Sequence, residues 1–270
     1  MARLWWTALG AALMLGCNPA DAVVLWPPSG AVGNAAGRRE VITTAGKAVE
    51  IWIVGPARPE AYVLTFYGNA DRADWRVSDD ASRFPNVQIW GVNYPGYGGS
   101  EGPATLRGVA AAAVGAYDAL AERASGRPIF AFGTSLGTTA ALHVAATRKV
   151  DGLVLVNPPP LEQLVLGRFG WWNLWLGAFP VATQIPRELD SLHNAALCSM
   201  PAVFVTAEND EVVPPAYQER VMSAYAGPKE VIVVPGGTHN SGAPPEIEQK
   251  IMAAVARMMA TVNRGVAKPR

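Results

Sequence analysis

Three side chains in this sequence have the types needed for nucleophilic catalysis by a hydroxyl group. Ser135 lies in "GTSLG", flanked two residues away by Gly133 and Gly137. A serine hydroxyl becomes a nucleophile when a histidine accepts its proton and a carboxylate orients that histidine. With 27 glycines in 270 residues, a chance match to G-x-S-x-G has an expectation of about 0.1. The motif alone is therefore weak evidence. The interpretation of Ser135 as a nucleophile depends also on the position of Ser135 in the fold.

The base has to be one of three histidines. His143 follows Ser135 by eight residues on a predicted helix, a position typical of a packing residue. His193 lies between the sixth and seventh predicted strands, where a capping role and a lid contact both remain open. His239, in "PGGTHNSG", follows a late strand in a glycine-rich loop. We predict that His239 is the base.

The acid is predicted in the acidic cluster after the seventh strand, "AVFVTAENDEVVPPAY". Asp210 is the predicted partner of the histidine, and a solvated acidic turn is the alternative. Glu208 and Asp190 are the other candidate acids. The choice of Asp210 gives the chain order serine, aspartate, histidine, which is the order found in hydrolases whose serine lies on a strand-to-helix turn.

The elements that must position these residues alternate between strands and helices. Apolar runs typical of strands lie at 40–46, 48–55, 61–68, 87–94, 128–133, 152–158, 202–208 and 230–236. Helical patterns lie at 105–124, 136–148, 214–226 and 244–264. This alternation predicts a mostly parallel sheet with helices on both faces. Ser135 would follow the fifth strand, at the sheet edge where such folds bind ligands.

The sequence resembles the α/β-hydrolase superfamily over roughly residues 40–265. The similarity lies in "FYGNA", "NYPGYGGSEG", "GTSLG", "ENDEVVP" and "GGTHN", which resemble those of abhydrolase-domain and serine-aminopeptidase-like enzymes. The resemblance implies an α/β fold of eight mostly parallel strands, with helices on both faces and a short helical lid between strands six and seven. It implies neither a cofactor nor a metal.

The resemblance also implies an oxyanion hole formed by the backbone N–H groups of Asn69 and Leu136. Two residues depart from the pattern of the branch. Tyr67 stands where the branch usually has histidine, and Asn93 stands where aspartate commonly precedes "YPGYG". The first departure could change how the oxyanion loop is braced.

The predicted lid, about residues 158–197, is rich in large apolar side chains. They are Leu166, Phe169, Trp171, Trp172, Leu174, Trp175, Leu176 and Phe179. Three interpretations explain this composition: an acyl-binding wall, a membrane-contacting surface, or a helix pair packed on the sheet.

The first 22 residues are predicted to be a signal peptide, because Arg3 precedes an apolar stretch from Leu4 to Gly16. "LMLGC" resembles a lipoprotein box with Cys17 as the lipidated residue, whereas "ADA" at 20–22 fits a conventional cleavage site. Residues 23–39 are predicted to be a tether and residues 40–270 the hydrolase domain. We therefore expect an exported protein, in the bacterial periplasm or anchored to the membrane through Cys17.

Composition limits the class of partner. The chain carries 22 basic and 22 acidic residues, so no global field favours nucleic acid. The predicted function is an exported serine hydrolase that cleaves an ester or thioester of a small or lipid-like acyl substrate through an acyl-enzyme. The nearest alternative is an amide or peptide hydrolase. Haloperoxidase-like enzymes and carbon–carbon bond hydrolases use the same catalytic residues. A tethered binding protein without turnover is the alternative from another functional class.

Overall fold

The computed structural model describes residues 18–28, 30, 37–84, 86–169 and 178–266. Cys17 and most of the predicted signal peptide lie outside the described residues. So does the middle of the predicted lid, including Trp171, Trp172 and Trp175.

Eight strands form one sheet, and each corresponds to a predicted strand. They are β1 (Arg38–Thr44), β2 (Lys47–Val54), β3 (Ala61–Phe66), β4 (Val87–Val92), β5 (Ile129–Thr134), β6 (Gly152–Val156), β7 (Ala202–Ala207) and β8 (Lys229–Val234). Their order across the sheet is β1-β2-β4-β3-β5-β6-β7-β8. Only β2 runs antiparallel to its two neighbours, and the other pairs are parallel. The predicted mostly parallel eight-stranded sheet is confirmed.

The helices of the described residues include the four that the sequence predicts. In chain order they are α1 (Pro19–Val24), α2 (Ala73–Arg83), α3 (Leu106–Ala124), α4 (Leu136–Thr147), α5 (Leu161–Phe169), α6 (Ala178–Ala182), α7 (Ser191–Leu197), α8 (Pro215–Ala224) and α9 (Pro245–Val266), with a 3₁₀ helix at Arg187–Leu189. The predicted helices correspond to α3, α4, α8 and α9.

Helices cover both faces of the sheet because adjacent residues of a strand point to opposite sides. Val63 packs in the cluster that includes residues of α2 and α9, whereas Leu64 packs in the cluster that includes residues of α3, α4, α7 and α8. The same alternation holds for Phe130 and Ala131 on β5. The inner strands β3 to β7 are therefore buried on both sides, which explains their nearly continuous apolar runs, whereas the edge strands β1 and β8 are largely exposed.

Two helices of the structure are absent from the sequence-based prediction. Helix α2 connects β3 to β4 and buries two carboxylates, Asp74 and Asp80, beside Ala73 and Val77. Its core-facing residues Ala73, Val77 and Ala81 are small and stand in a mostly polar sequence. Helix α1 crosses the boundary between the predicted signal peptide and the predicted tether, and residues 25–28 after it have no regular secondary structure.

Candidate active site

Ser135 occupies a strained turn between β5 and α4. Its φ and ψ are 50° and −120°, a region that residues other than glycine rarely adopt. Such a conformation costs on the order of 1–3 kcal/mol and persists only where the surrounding structure imposes it. The backbone N–H of Ser135 donates to the carbonyl of Val156 at 2.8 Å, which ties the turn to the end of β6. The turn therefore presents the hydroxyl at the carboxyl edge of the sheet.

The two glycines beside Ser135 allow this turn to pack closely. A Cβ on Gly137 would lie 2.0 Å from the carbonyl oxygen of Phe66, at the end of β3. A Cβ on Gly133 would lie 2.7 Å from the carbonyl oxygen of Gly137. Because no real Cβ makes contacts this short, both positions require glycine. Close packing of the turn therefore explains why glycine stands two residues to either side of Ser135.

The structure brings Ser135, His239 and Asp210 together. The Nε2 atom of His239 lies 3.0 Å from the Oγ atom of Ser135, and its Nδ1 atom lies 2.7 Å from the Oδ2 atom of Asp210. The side chain of Asp210 is fully buried and that of His239 is 10% exposed. An ionised carboxylate only accepts hydrogen bonds, so Nδ1 donates and Nε2 is left to accept the serine proton. This arrangement can deprotonate a hydroxyl nucleophile.

The loop between β3 and α2, residues 67–72, lies beside the serine. A Cβ on Gly68 would lie 3.6 Å from the Cβ of Ser135. Leu136 is the first residue of α4, and its N–H therefore has no acceptor within the helix. The resemblance assigns the N–H groups of Asn69 and Leu136 to an oxyanion hole. Leu136 directly follows the serine in the chain, and Asn69 belongs to the loop that lies beside the serine.

Comparisons with known proteins agree with this architecture. Residues 63–188 match a family model described as alpha/beta hydrolase fold. The esterase PF2001 of Pyrococcus furiosus superposes with a TM-score of 0.66 at 13% identity, over 88% of this chain and 98% of that chain. This chain has the α/β-hydrolase fold.

Further similarity extends to an uncharacterised protein of Mycobacterium tuberculosis, which is 28% identical over 88% of this chain and 86% of its own length. Est1E of Butyrivibrio proteoclasticus, solved with ferulic acid bound, superposes with a TM-score of 0.63 at 17% identity. That match covers 83% of this chain and 99% of Est1E.

In this α/β-hydrolase fold, a set of hydrogen bonds fixes the acid. The Oδ1 atom of Asp210 accepts from the N–H groups of Val212 and Val213 at 2.9 and 2.7 Å. Its Oδ2 atom accepts from Nε2 of Gln218, on α8, at 2.9 Å as well as from His239. Four donors therefore hold one carboxylate, and its orientation toward the imidazole is set by tertiary structure.

The loop that carries His239 is attached to the ends of β6 and β7. Nδ2 of Asn157 donates to the carbonyl of His239 at 3.3 Å, and Oδ1 of Asn157 accepts from the N–H of Ala207 at 2.9 Å. Asn157 has a φ of 50°, a left-handed conformation that asparagine tolerates better than most residues. Asn157 and Gln218 were not predicted from the sequence. The sequence does place Asn157 directly after the sixth strand, at the same sheet edge as Ser135, and this position could have identified it.

The other candidate bases and acids lie elsewhere. His143 is buried on α4 and His193 is exposed on α7. Burial lowers the pKa of His143, so the buried ring is neutral at physiological pH. Asp190 caps α7 by accepting from the N–H of Leu192 at 3.0 Å. Glu208 accepts from the N–H of Gly236 at 2.7 Å and supports the loop before His239 rather than the imidazole itself.

The departure at Tyr67 changes how the β3–α2 loop is held. The phenol of Tyr67 is buried and donates to Oδ2 of Asp80, on α2, at 2.8 Å. Burial and the neighbouring Asp80 raise the pKa of Tyr67 well above its ordinary value, so the hydroxyl remains a donor. The carbonyl of Tyr67 also accepts from the hydroxyl of Tyr94 at 3.0 Å. These two hydrogen bonds fix the start of the loop to α2 and to Tyr94, which follows β4.

The departure at Asn93 is explained by its two acidic neighbours. Nδ2 of Asn93 donates to Glu50 at 2.6 Å and to Asp74 at 3.2 Å, while its Oδ1 atom accepts from the N–H of Ala73 at 2.7 Å. Burial alone would raise the pKa of Glu50, but hydrogen bonds from Arg39 and others outweigh it and lower that pKa. An aspartate at position 93 would be a third buried carboxylate in contact with the other two.

A buried arginine completes this network. Arg72 is 2% exposed and donates to both oxygens of Asp74, from Nε at 3.0 Å and from a terminal nitrogen at 2.7 Å. It also donates to the carbonyl of Gly30 at 3.1 Å. The start of α2 is therefore fixed by charge-assisted bonds immediately after the β3–α2 loop.

The insertion between β6 and β7 is helical in its described parts, α5 to α7. Within it, Val165 is buried whereas the ring of Phe179 is 60% exposed. Cys198 follows α7, is fully buried and unpaired, and burial raises the pKa of its thiol to about 12. It is therefore a packing residue, because thiol reactivity requires the thiolate.

The part of the chain that the structure describes contains neither a metal-ligand cluster nor a membrane-spanning helix. There is no group of three or more histidine, cysteine or acidic side chains arranged to hold a metal ion. No described helix has the length and apolar character needed to cross a bilayer.

Proposed function

We propose that this protein is a serine hydrolase that cleaves a carboxylic ester or thioester through an acyl-enzyme. The observation that carries the proposal is the continuous line of contacts from Ser135 through His239 to Asp210, at 3.0 and 2.7 Å, on a strained strand-to-helix turn. The fold supports it, and the proteins of similar fold include an esterase of Pyrococcus furiosus.

Acylation begins when the substrate carbonyl lies next to Ser135. The Oγ atom bonds to the carbonyl carbon as its proton moves to Nε2 of His239, and the carbonyl oxygen takes up the electron pair as an oxyanion. The N–H groups of Asn69 and Leu136 donate to that oxygen, and each such donor is worth ~10²–10³ in turnover. The oxyanion then reforms the carbonyl, the bond to the leaving oxygen or sulfur breaks, and the imidazolium gives its proton to the leaving group.

Deacylation repeats these steps with water. His239 accepts a proton from the water, whose oxygen bonds to the acyl carbon of the ester on Ser135. The second oxyanion collapses, the bond to Oγ breaks, and His239 returns the proton to the serine. Asp210 keeps its negative charge throughout and stabilises the imidazolium in both halves of the cycle. The products are a carboxylic acid and an alcohol or thiol.

The insertion between β6 and β7 is the proposed lid, and its apolar side chains are the proposed acyl-binding wall. An acyl chain is apolar, and burying each of its CH₂ groups against such a wall contributes about 0.8 kcal/mol. Small-molecule or lipid-like acyl substrates fit this composition better than a charged peptide does.

Export and anchoring are part of the proposal. A lipid-modified Cys17 would hold the enzyme at a bacterial membrane, since more than one acyl chain is needed for stable anchoring. Mass spectrometry of the mature amino terminus tests this point. A diacyl or triacyl Cys17 is the expected result, and a free terminus at Val23 would instead mean a soluble exported enzyme.

The test of the proposed function is hydrolysis of nitrophenyl esters from two to sixteen carbons by the purified protein and its Ser135→Ala variant. We expect turnover with an optimum chain length, and its loss in a variant that remains folded. Cleavage of amide but not ester substrates would favour the alternative hydrolase. A folded protein with no turnover of either class would favour a binding protein.

A further inference from the structure

The segment from Asn18 to Pro28, which we call the strap, packs into the hydrolase fold. Ala20 is fully buried and Leu25 is 6% exposed, and both belong to the cluster on the α3 and α4 face of the sheet. Oδ1 of Asn18 accepts from the N–H of Ala20 at 2.9 Å and so caps α1. The strap is thus a folded element rather than a passing linker.

The strap holds the side chain of Asn69 on both sides. Nδ2 of Asn69 donates to the carbonyl of Val24 at 2.5 Å, and Oδ1 of Asn69 accepts from the N–H of Trp26 at 2.8 Å. The hydroxyl of Tyr97 also donates to Oδ1, at 2.9 Å. Burial raises the pKa of Tyr97 to about 12, which keeps that hydroxyl a donor. Two of these three bonds come from the backbone of the strap.

The strap is fixed at two further points. Oδ1 of Asp21 accepts from the N–H of Leu106 at 2.7 Å, at the start of α3. Nδ2 of Asn18 donates to the carbonyl of Gln184 at 3.4 Å, just after α6 of the insertion. The strap therefore joins three parts of the fold: the β3–α2 loop, the start of α3 and the proposed lid.

We propose that the strap is a positioning element of the active site, which fixes Asn69 through Val24 and Trp26 so that its backbone N–H is aimed at the oxyanion. This inference rests on the proposed function. An oxyanion donor acts only when it lies within about 2.7–3.1 Å of the developing charge. A side chain clamped by two backbone groups of the strap restricts the rotation of the Asn69 peptide.

The proposal bears on the processing of the chain. Cleavage after Ala22 would remove Asn18, Ala20 and Asp21, and with them most of α1, the bond to Leu106 and the bond to the lid. Processing before Asn18 keeps the whole strap. Only the cleavage that leaves Cys17 at the amino terminus, or one further upstream, keeps the full set of strap contacts, whereas the bonds from Val24 and Trp26 to Asn69 survive either cleavage.

The test compares two substitutions of one residue. Trp26→Pro removes the N–H that donates to Asn69, and the residue before it, Leu25, already has the extended conformation that precedes proline (φ −98°, ψ 131°). Trp26→Ala keeps the N–H but removes the ring, which is 44% exposed and donates from Nε1 to the carbonyl of Val23 at 3.3 Å. We expect kcat for a nitrophenyl ester to fall by ~10-fold or more in Trp26→Pro, with KM nearly unchanged, because small misplacements cost up to ~10². We expect a smaller fall in Trp26→Ala, because the N–H that donates to Asn69 remains.

Two further variants keep the test decisive if Trp26→Pro fails to fold. Asn69→Ala removes the whole clamp, and Asn69→Asp retains the acceptor for Trp26 and Tyr97 but places a carboxylate oxygen against the carbonyl of Val24. We expect kcat to fall in both variants. Unchanged kcat in both Trp26→Pro and Asn69→Ala would overturn the strap proposal while the proposed function stands. No ester turnover in the unsubstituted protein would overturn the proposed function and this inference with it.

Discussion

Oδ2 of Asp210 lies 2.7 Å from Nδ1 of His239, and the same oxygen accepts from Gln218 at 2.9 Å. The acid is therefore oriented by an α8 side chain as well as by the two N–H groups that bind its other oxygen. A carboxylate held in this way fixes the rotation and the tautomer of the imidazole.

Asp210→Asn is predicted to lower kcat strongly while the protein stays folded. The amide no longer holds the tautomer that leaves Nε2 free to accept the serine proton, and the equivalent change in a serine protease costs ~10⁴ in kcat. Kinetics with a nitrophenyl ester measure the effect. The control is Asp190→Asn, which changes another candidate acid but keeps a good helix cap. Equal losses in the two variants would contradict the assignment of Asp210.

Gly137→Ala is predicted to destabilise the protein by about 1–3 kcal/mol or more, since the new Cβ would overlap the carbonyl of Phe66 at 2.0 Å. The free energy of unfolding in urea measures this. Gly242→Ala is the matched control, because a Cβ there meets nothing within 4 Å. A Gly137→Ala protein as stable as the control would show that the turn is looser than described.

These glycines illustrate what could be predicted from the sequence. The turn at Ser135, the strand before it and the helix after it depend on local sequence, so "GTSLG" was enough to place them. His239 and Asp210 each follow a recognisable apolar strand, and parallel strands bring their carboxyl ends to one edge of the sheet. The site was therefore predictable from three separate local patterns.

The supporting residues were not predictable in the same way. Gln218 lies in the middle of a polar helix, and its role appears only when α8 packs beside the end of β7. Helix α2 carries apolar residues at four-residue spacing, Ala73, Val77 and Ala81, but they are small, and its buried Asp74 and Asp80 depend on tertiary hydrogen bonds that the sequence does not show. The strap has a composition typical of a linker, and its order comes from contacts with Asn69 and Leu106, which are distant in the chain.

Asn93→Asp is predicted to destabilise the fold, although aspartate is common at this position in the resembling branch. The variant would place a third buried carboxylate against Glu50 and Asp74, and an uncompensated buried charge costs about 3–5 kcal/mol. Unfolding in urea near neutral pH measures the loss. The control is Asp118→Asn, which breaks an exposed pair with Arg148 worth about 0–1 kcal/mol. A loss no larger than that of the control would contradict the account of Asn93.

The stability of the protein is predicted to fall as pH decreases below about 6.5. Burial lowers the pKa of His143, Arg148 lowers it further, and Glu188 opposes the shift. The unfolded chain binds a proton at this histidine at higher pH than the folded chain does. The contribution of His143 is therefore complete above its unfolded pKa and is lost as pH falls through its folded pKa.

Unfolding free energies at about pH 7.5 and about pH 5.5 test this prediction in the unsubstituted protein and in His143→Gln. We expect the unsubstituted protein to lose more stability on acidification than the variant does. Identical losses would show that His143 does not titrate differently on folding.

The central claim is that Ser135 is an activated nucleophile. The most direct measurement is reaction of the folded protein with a fluorophosphonate probe, followed by proteolysis and mass spectrometry of the labelled peptide, with Ser135→Ala as the control. The account predicts one covalent label on Ser135 and none in the variant. A folded protein that takes up no label, or takes it up at another serine, would contradict it.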